Sequence, residues 1–178
     1  MQDKCEVKRT CSFNVSNWHL VTMIIPYINR RIEENINILT FFEDNMEEII
    51  KTFLNKLILN ESAKDKIRNL NWKGSKKSIK FGNLSSLLEN CLIKEDSIDL
   101  IVSGKKEYIS FVNSNINKWI SANEKRIIGR KINIINCYEI TQFNNNIRDI
   151  LEIHDDILNT SGKREIEEVF EGYEKNII

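Results

Sequence analysis

Ile36-Asn37-Ile38-Leu39-Thr40-Phe41-Phe42-Glu43-Asp44-Asn45-Met46-Glu47 is the stretch that decides how this chain folds. Its first seven residues are β-branched, aromatic and nearly continuous in apolar character, the pattern of a strand buried on both faces. Glu43 and Asp44 end it in an acidic turn. Asp44 and Glu47 then stand at capping-box spacing, and Met46, Ile49, Ile50, Phe53, Leu54 and Leu57 follow as the apolar face of a helix. A buried strand running straight into an amphipathic helix is the unit of an α/β domain, because a parallel neighbour can be reached only through a crossover.

The same alternation extends in both directions. Before it, Val7, Phe13 and Val15 alternate with Cys5 and Cys11 in phase, which predicts a strand, and Asn14, Ser16 and Asn17 serve as turn or cap residues. Trp18, Val21, Ile25, Ile28 and Ile32 then step by three and four as a helical stripe, in which Pro26 removes a donor and predicts a kink or a restart. After it, Ser62 to Trp72 reads as a short helix closed by the basic loop Lys73-Gly74-Ser75-Lys76-Lys77. Ser78 to Phe81 is a candidate short strand, with Leu84, Leu87, Leu88 and Leu92 as the helix behind it. Ile98 to Val102 gives another strand, ending at Ser103-Gly104 before the stripe Ile109, Val112, Ile116, Trp119 and Ile120. Ile132 to Cys137 is a fifth candidate strand, followed by a helix through Phe143, Ile147, Ile150, Leu151, His154 and Leu158. Ser161-Gly162 breaks the pattern before a final charged helix with Ile166, Val169, Phe170 and Tyr173 on its narrow apolar face.

Five strand-then-helix units predict an α/β fold in three layers, a mainly parallel sheet of about five strands flanked by helices. One domain is expected over residues 1–160, with a C-terminal helix over 161–178 packed on it or used for association. The 178 residues are 41% hydrophobic and 29% charged, enough to bury a core. Twenty-six Lys and Arg balance twenty-six Asp and Glu, which leaves no electrostatic footprint for a nucleic-acid duplex or an anionic membrane. The apolar run Leu20 to Tyr27 is far short of the roughly 20 residues of a membrane span, and Met1 to Thr10 lacks a signal-peptide layout, so a cytoplasmic address is expected. Cys5, Cys11, Cys91 and Cys137 form no CxxC pair, as suits reduced thiols.

The familiar motifs of chemistry are missing. Gly104-Lys105 is preceded by Asp99 where a phosphate loop needs its first glycine and followed by Lys106 where it needs a hydroxyl, and GxGxxG does not occur. A GxSxG elbow and HExxH are equally absent, and the two histidines, His19 and His154, fall in stretches read as helix. His154 beside Asp155 and Asp156 reads first as a helix-end histidine facing carboxylates or the C-terminal dipole. No cofactor, metal or catalytic residue is expected. In a parallel α/β sheet ligands sit outside the carboxyl ends of the strands, so the turns Asn14 to Asn17, Phe42-Glu43-Asp44, Ser103 to Lys106 and Tyr138-Glu139-Ile140 are the candidate site. The plain alternative is that Glu43 and Asp44 cap helices and that Lys105 and Lys106 are solvated.

With the segments in order, the chain resembles the MEDS family of sensory domains, named after methanogens, methylotrophs and a dichloromethane-responsive regulator. Ile134-Ile135-Asn136-Cys137-Tyr138-Glu139, then Phe143, then Ile150-Leu151-Glu152-Ile153-His154-Asp155 is similar to that family's strand ending in Cys and Tyr with an acid, a Phe, and a helix closing on Leu-x-x-His. Ile25-Pro26-Tyr27-Ile28 followed by Asn35 to Phe42 is similar to its proline-and-aromatic first helix and second strand. The sequence departs from the family at Arg31, where a glycine is usual, and at Gly104-Lys105, where a Gly-Glu pair is usual. The resemblance implies a RecA-like or KaiC-like domain without a phosphate loop that senses a small organic compound.

Three functions are carried forward. The first is a non-enzymatic signal-input domain that holds a small organic ligand among Glu43, Gly104, Lys105, Cys137 and Tyr138 and relays it by contact with a separate signalling protein. The second is a nucleotide-binding relative of ATPases, with a phosphate held by Lys105, Lys106 or the helix start at Asp44. The third is a structural interaction module, as a homodimer or on a partner, through the terminal helix.

Overall fold

The computed structural model describes residues 4–75, 81–92, 94–140 and 147–173. Strand β1 (Glu6–Asn14) leads into α1 (Asn17–Glu33), and β2 (Asn37–Phe42) leads into α2 (Glu47–Lys56) and α3 (Glu61–Arg68). Next come α4 (Phe81–Leu92), β3 (Ser97–Gly104), α5 (Lys106–Ala122), a short 3-10 turn at Glu124–Arg126, and β4 (Lys131–Glu139). Helix α6 (Ile147–Glu152), β5 (Asp156–Asn159), β6 (Gly162–Glu165) and α7 (Ile166–Val169) complete the order. The fold is α/β, with one six-stranded sheet in the order β2-β3-β4-β1-β5-β6. The first five strands of that row are parallel and β6 returns antiparallel on β5. Ile135 marks the centre, opposite Thr10 on one side and Ile101 on the other.

Topology sorts the helices. The chain leaves β1 for the far edge at β2 and then works back across the sheet, and right-handed crossovers in opposite directions put their helices on opposite faces. One face carries α1, α2 and α3, whose Leu20, Ile24, Ile28, Ile50, Leu54 and Ile67 pack on Ile101, Ile135 and Cys137. The other carries α4, α5 and α6, with Leu84, Leu88, Val112, Ile116 and Trp119 over Leu100, Val102, Ile132 and Ile134. Adjacent residues of the central strands therefore serve different cores, which is why their sequence is apolar at nearly every position.

Several sequence expectations change in detail. Helix α1 runs unbroken through Pro26 rather than restarting there. The start of α2 falls later than the Asp44 capping box, and it is Asn45 whose Oδ1 accepts from the Glu47 amide at 2.9 Å. Leu158, expected on a helix, belongs to β5, and the expected final helix is mostly the strand β6 followed by four helical residues. Two residues drive that change: Gly162, at φ +108, turns the hairpin, and Ser161 closes it by donating its amide to Asn159 Oδ1 at 2.8 Å. Ile166 of α7 is fully buried in the core under α5 and α6. The candidate strand at Ser78 lies outside the described residues except for Phe81, which opens α4, and Phe143 also lies outside them. No helix among the described residues is long and apolar enough to cross a membrane.

Candidate functional site

The carboxyl ends of β1 to β4 bring the four candidate turns together, and there the protein supplies its own ligands. Ser16 caps α1, its side chain accepting from the His19 amide at 3.1 Å. Glu43, just past β2, donates its amide to the Ser103 carbonyl at 2.8 Å and accepts from the Lys105 amide with Oε2 at 2.8 Å. Its carboxylate thus sits at the N-terminus of α5, where an anion is favoured by the helix dipole. Gly104 makes that approach possible, because a Cβ there would lie 2.6 Å from Glu43 Oε2, 2.7 Å from Glu43 Cβ and 2.8 Å from Tyr108 Cδ1. Gly74 is held as tightly, its missing Cβ 2.6 Å from the Asn45 amide nitrogen, while Ser75 donates its amide to Phe42 O at 2.9 Å and shares a hydrogen bond with the Tyr108 hydroxyl. The cavity left between Asn14, Asn17, Asp44, Ser103, Gly104 and Glu139 measures about 10 Å³. That is room for about one water molecule.

Of the five residues predicted as a site, Glu43, Gly104 and Lys105 therefore meet, in a contact between β2, β3 and α5. Cys137 and Tyr138 stand beside them in the sheet, opposite Ser103 and Gly104 of β3, but their side chains leave on opposite faces, as consecutive residues of a strand do. Cys137 is fully buried beneath α1, and burial pushes its thiol up to about 12. Tyr138 faces the α5 side, its ring tilted 6.0 Å from Phe13 and edge-on 5.8 Å from the His154 ring. Burial raises its phenol above the ordinary value, with a smaller contribution from the Cys11 and Cys137 thiols.

Tyr138 lines a different feature, an open groove of about 820 Å³ between α5 and the neighbouring strands β1 and β4. The described part of the crossover from β4 to β5 carries the six-residue helix α6, against the 17 residues of α5. The wall is the polar side of α5, Ser110, Asn113, Ser114, Asn117, Lys118 and Ser121, spaced three and four apart over about 17 Å of helix. Arg9, Asn136 and Tyr138 form the floor and Ile153 the far rim.

A buried relay fixes that floor. His154, 1% exposed, has Nδ1 2.6 Å from the Ile150 carbonyl, which can only accept, so this nitrogen carries the proton. Nε2 is then the acceptor for Asn136 Nδ2 at 2.9 Å, which turns Asn136 Oδ1 toward Asn113 Nδ2 at 2.8 Å. Asn113 Nδ2 also donates to the Ile109 carbonyl at 2.9 Å, and Asn113 Oδ1 is buried without a hydrogen-bond partner among the described residues. Arg9 Nη2 donates to Asn117 Oδ1 at 2.7 Å, tying the floor to the wall. The sequence expectation of a helix-end histidine holds for the Ile150 carbonyl of α6, and the other ring nitrogen meets the Asn136 side-chain amide of β4.

A second cleft, about 650 Å³, opens on the other face between α1 and the β5–β6 hairpin. It is lined by charges of both signs, including Lys8, Arg31, Asp156 and Lys163. Beneath it Asp99, fully buried in β3, accepts from Tyr27, Arg31 and Asn133. Among the described residues no group of three or more His, Cys, Asp or Glu side chains is placed to hold a metal ion.

Comparison of the chain with protein-family models, with curated proteins and with solved structures gives no match. Arg9, Asn113, Asn117, Lys118 and Asn136 were not among the residues singled out by sequence. A signal for two of them exists: Arg9 and Asn136 are large polar residues at strand positions in phase with Cys11 and Ile134, which belong to the α5-side core.

Proposed function

We propose that this chain is a small-molecule-binding input domain without catalytic activity of its own, which holds its ligand in the α5 groove and relays it by contact with a separate protein. The observation that carries this reading is the groove itself, whose 820 Å³ lies within the roughly 300–1,000 Å³ usual for small-ligand sites. Its polar floor is pre-set by the His154–Asn136–Asn113 relay, so the hydrogen-bonding pattern offered to a ligand is fixed before binding. Helix α5 also links the groove to the carboxyl edge, since its first turn is held by Glu43. A ligand that binds one position of α5 more tightly than another thereby changes the surface at that edge. The resemblance of Cys137-Tyr138-Glu139 and of Leu151 to His154 to the MEDS pattern agrees with a sensory role. The alternative with a nucleotide at the carboxyl edge finds less support, because Glu43 occupies the α5 terminus and Ser16 that of α1.

The test is a thermal-shift screen of wild type and Ser114→Trp against organic compounds, ATP and divalent metals. Ser114 is exposed on the groove wall, so the indole fills the groove without entering the core. A compound that raises Tm in wild type and not in Ser114→Trp is the expected result. ATP as the one stabilising ligand, equally effective on both proteins, overturns the reading.

A further inference from the structure

We infer that the ligand of the α5 groove is an organic anion, a carboxylate or a phosphate ester bearing hydroxyl or amino groups, with its charge placed at Arg9 and Lys118. The inference rests on the groove being the binding site. Its basis is a contrast between the two clefts. In the α1 cleft every cation that lines it has a carboxylate: Lys8 and Lys163 each stand 3.1 Å from Asp156, Arg30 3.1 Å and Arg31 2.5 Å from Glu34, and Arg164 3.6 Å from Glu168. Those five cations share three carboxylates, so each is already held in an ion pair.

The groove is the reverse. Among the described residues no Asp or Glu lines it, and Arg9 and Lys118 make no ion pair. Asp155, near in space, is bonded through Oδ2 to the Arg9 backbone amide at 2.8 Å and not to its guanidinium. Asn117 takes one guanidinium nitrogen with a neutral oxygen, which orients Arg9 without cancelling its charge. Two uncompensated cations on one wall and floor, in a chain whose formal net charge is zero, make a local anion site. Guanidinium donors in a fixed fork suit carboxylate and phosphate oxygens. The rest of the described lining carries no charge, and its Ser110, Ser114 and Ser121 hydroxyls can donate to or accept from ligand hydroxyl or amino groups.

Isothermal titration at low salt tests this with citrate as the carboxylate probe, glucose 6-phosphate as the phosphate probe and glucose as the neutral probe. Wild type, Arg9→Met, Lys118→Met and, as a control in the other cleft, Lys163→Met are compared. The expected result is binding of one or both anionic probes, weakened about tenfold or more by Arg9→Met and by Lys118→Met and unchanged by Lys163→Met. Lys118 is exposed, so its variant keeps the test valid if Arg9→Met disturbs folding. Binding of one anionic probe alone says which group is read. Anion binding insensitive to both groove variants overturns the inference, as does silence of all three probes at millimolar concentration. Glucose bound as tightly as glucose 6-phosphate, with loss in Ser114→Trp, overturns the anion and leaves the groove reading standing.

Discussion

Arg31 of α1 holds the carboxylate of Asp99 in β3 with two nitrogens at once, Nε 2.6 Å from Oδ2 and Nη2 2.9 Å from Oδ1. Tyr27 and Asn133 complete the shell at 2.5 and 2.8 Å, so a carboxylate with no exposed surface has a donor for nearly every lone pair. The bonds to Asp99 raise the Arg31 guanidinium above its already high value. Removing one partner leaves the other buried without compensation, and Arg31→Met is expected to cost about 3–5 kcal/mol in urea denaturation. Asp99→Asn, which keeps the shape, costs less, and the double variant recovers part of the loss. Strict additivity of the two single changes would show that the pair is not coupled.

The alternation of buried strand and amphipathic helix was legible because each strand from β1 to β4 is long enough to print its pattern, and Ile36 to Phe42 prints it most clearly. The far edge was not. Strand β5 is four residues whose Asp156, Ile157 and Leu158 continue the helical spacing of Ile150, Leu151 and His154, so period alone cannot part them. Strand β6, Gly-Lys-Arg-Glu, has no apolar residue, since it lies at the edge and owes its place to the turn before it. Site residues divide the same way. Turn positions such as Glu43, Gly104 and Lys105 follow from the ends of the strands, but whether they bind or cap depends on a contact across 62 positions of sequence. Arg9 and Lys118 line one groove only because β1 lies beside β4 beneath α5, an order that the pattern of elements does not contain.

Gly104→Ala sets a methyl group against both the Oε2 and the Cβ of Glu43 and against the Tyr108 ring, and the Cβ of Glu43 cannot swing aside as its tip can. A loss of about 1–3 kcal/mol is expected, read from the urea midpoint. Glu43→Ala opens the space but removes the acceptor of the Lys105 amide, with a cost of about 1 kcal/mol. If the contact is what demands the glycine, Gly104→Ala costs less in the Glu43→Ala background than alone. Equal costs would place the demand in the backbone.

His154→Phe keeps the ring volume while leaving the Ile150 carbonyl and the Asn136 amide without their partner in a site that is 1% exposed. The expected loss is about 1–3 kcal/mol. The relay also predicts a distant effect, because Asn136 then has no reason to keep Oδ1 toward Asn113. In amide NMR spectra the side-chain NH₂ resonances of Asn113 and Asn136 should both move, Asn113 standing one hydrogen bond beyond Asn136. A change confined to Asn136 would mean that the three residues act as separate bonds.

Cys137 predicts an alkaline limit to stability. Its thiol is pushed by burial from 9.0 up to about 12 in the folded chain, while the unfolded chain keeps the ordinary value. Below pH 9 both states hold the proton and stability is unaffected. Between pH 9 and about 12 the unfolded state releases a proton that the folded state retains, so stability falls as pH rises, by up to about 1.4 kcal/mol per unit. Burial also raises the Tyr27, Tyr108 and Tyr138 phenols, which adds to the slope above pH 10. Between pH 9 and 10 the thiols dominate, and Cys5 and Cys91, raised by partial burial, contribute alongside Cys137. Urea denaturation of wild type and Cys137→Ala at pH 8, 9 and 10 isolates the buried thiol. Cys137→Ala lowers stability at every pH through lost packing, yet its stability is expected to fall less steeply from pH 9 to 10. Parallel lines for the two proteins would mean that Cys137 ionises as freely in the fold as outside it, which a side chain sealed between α1 and the sheet does not allow.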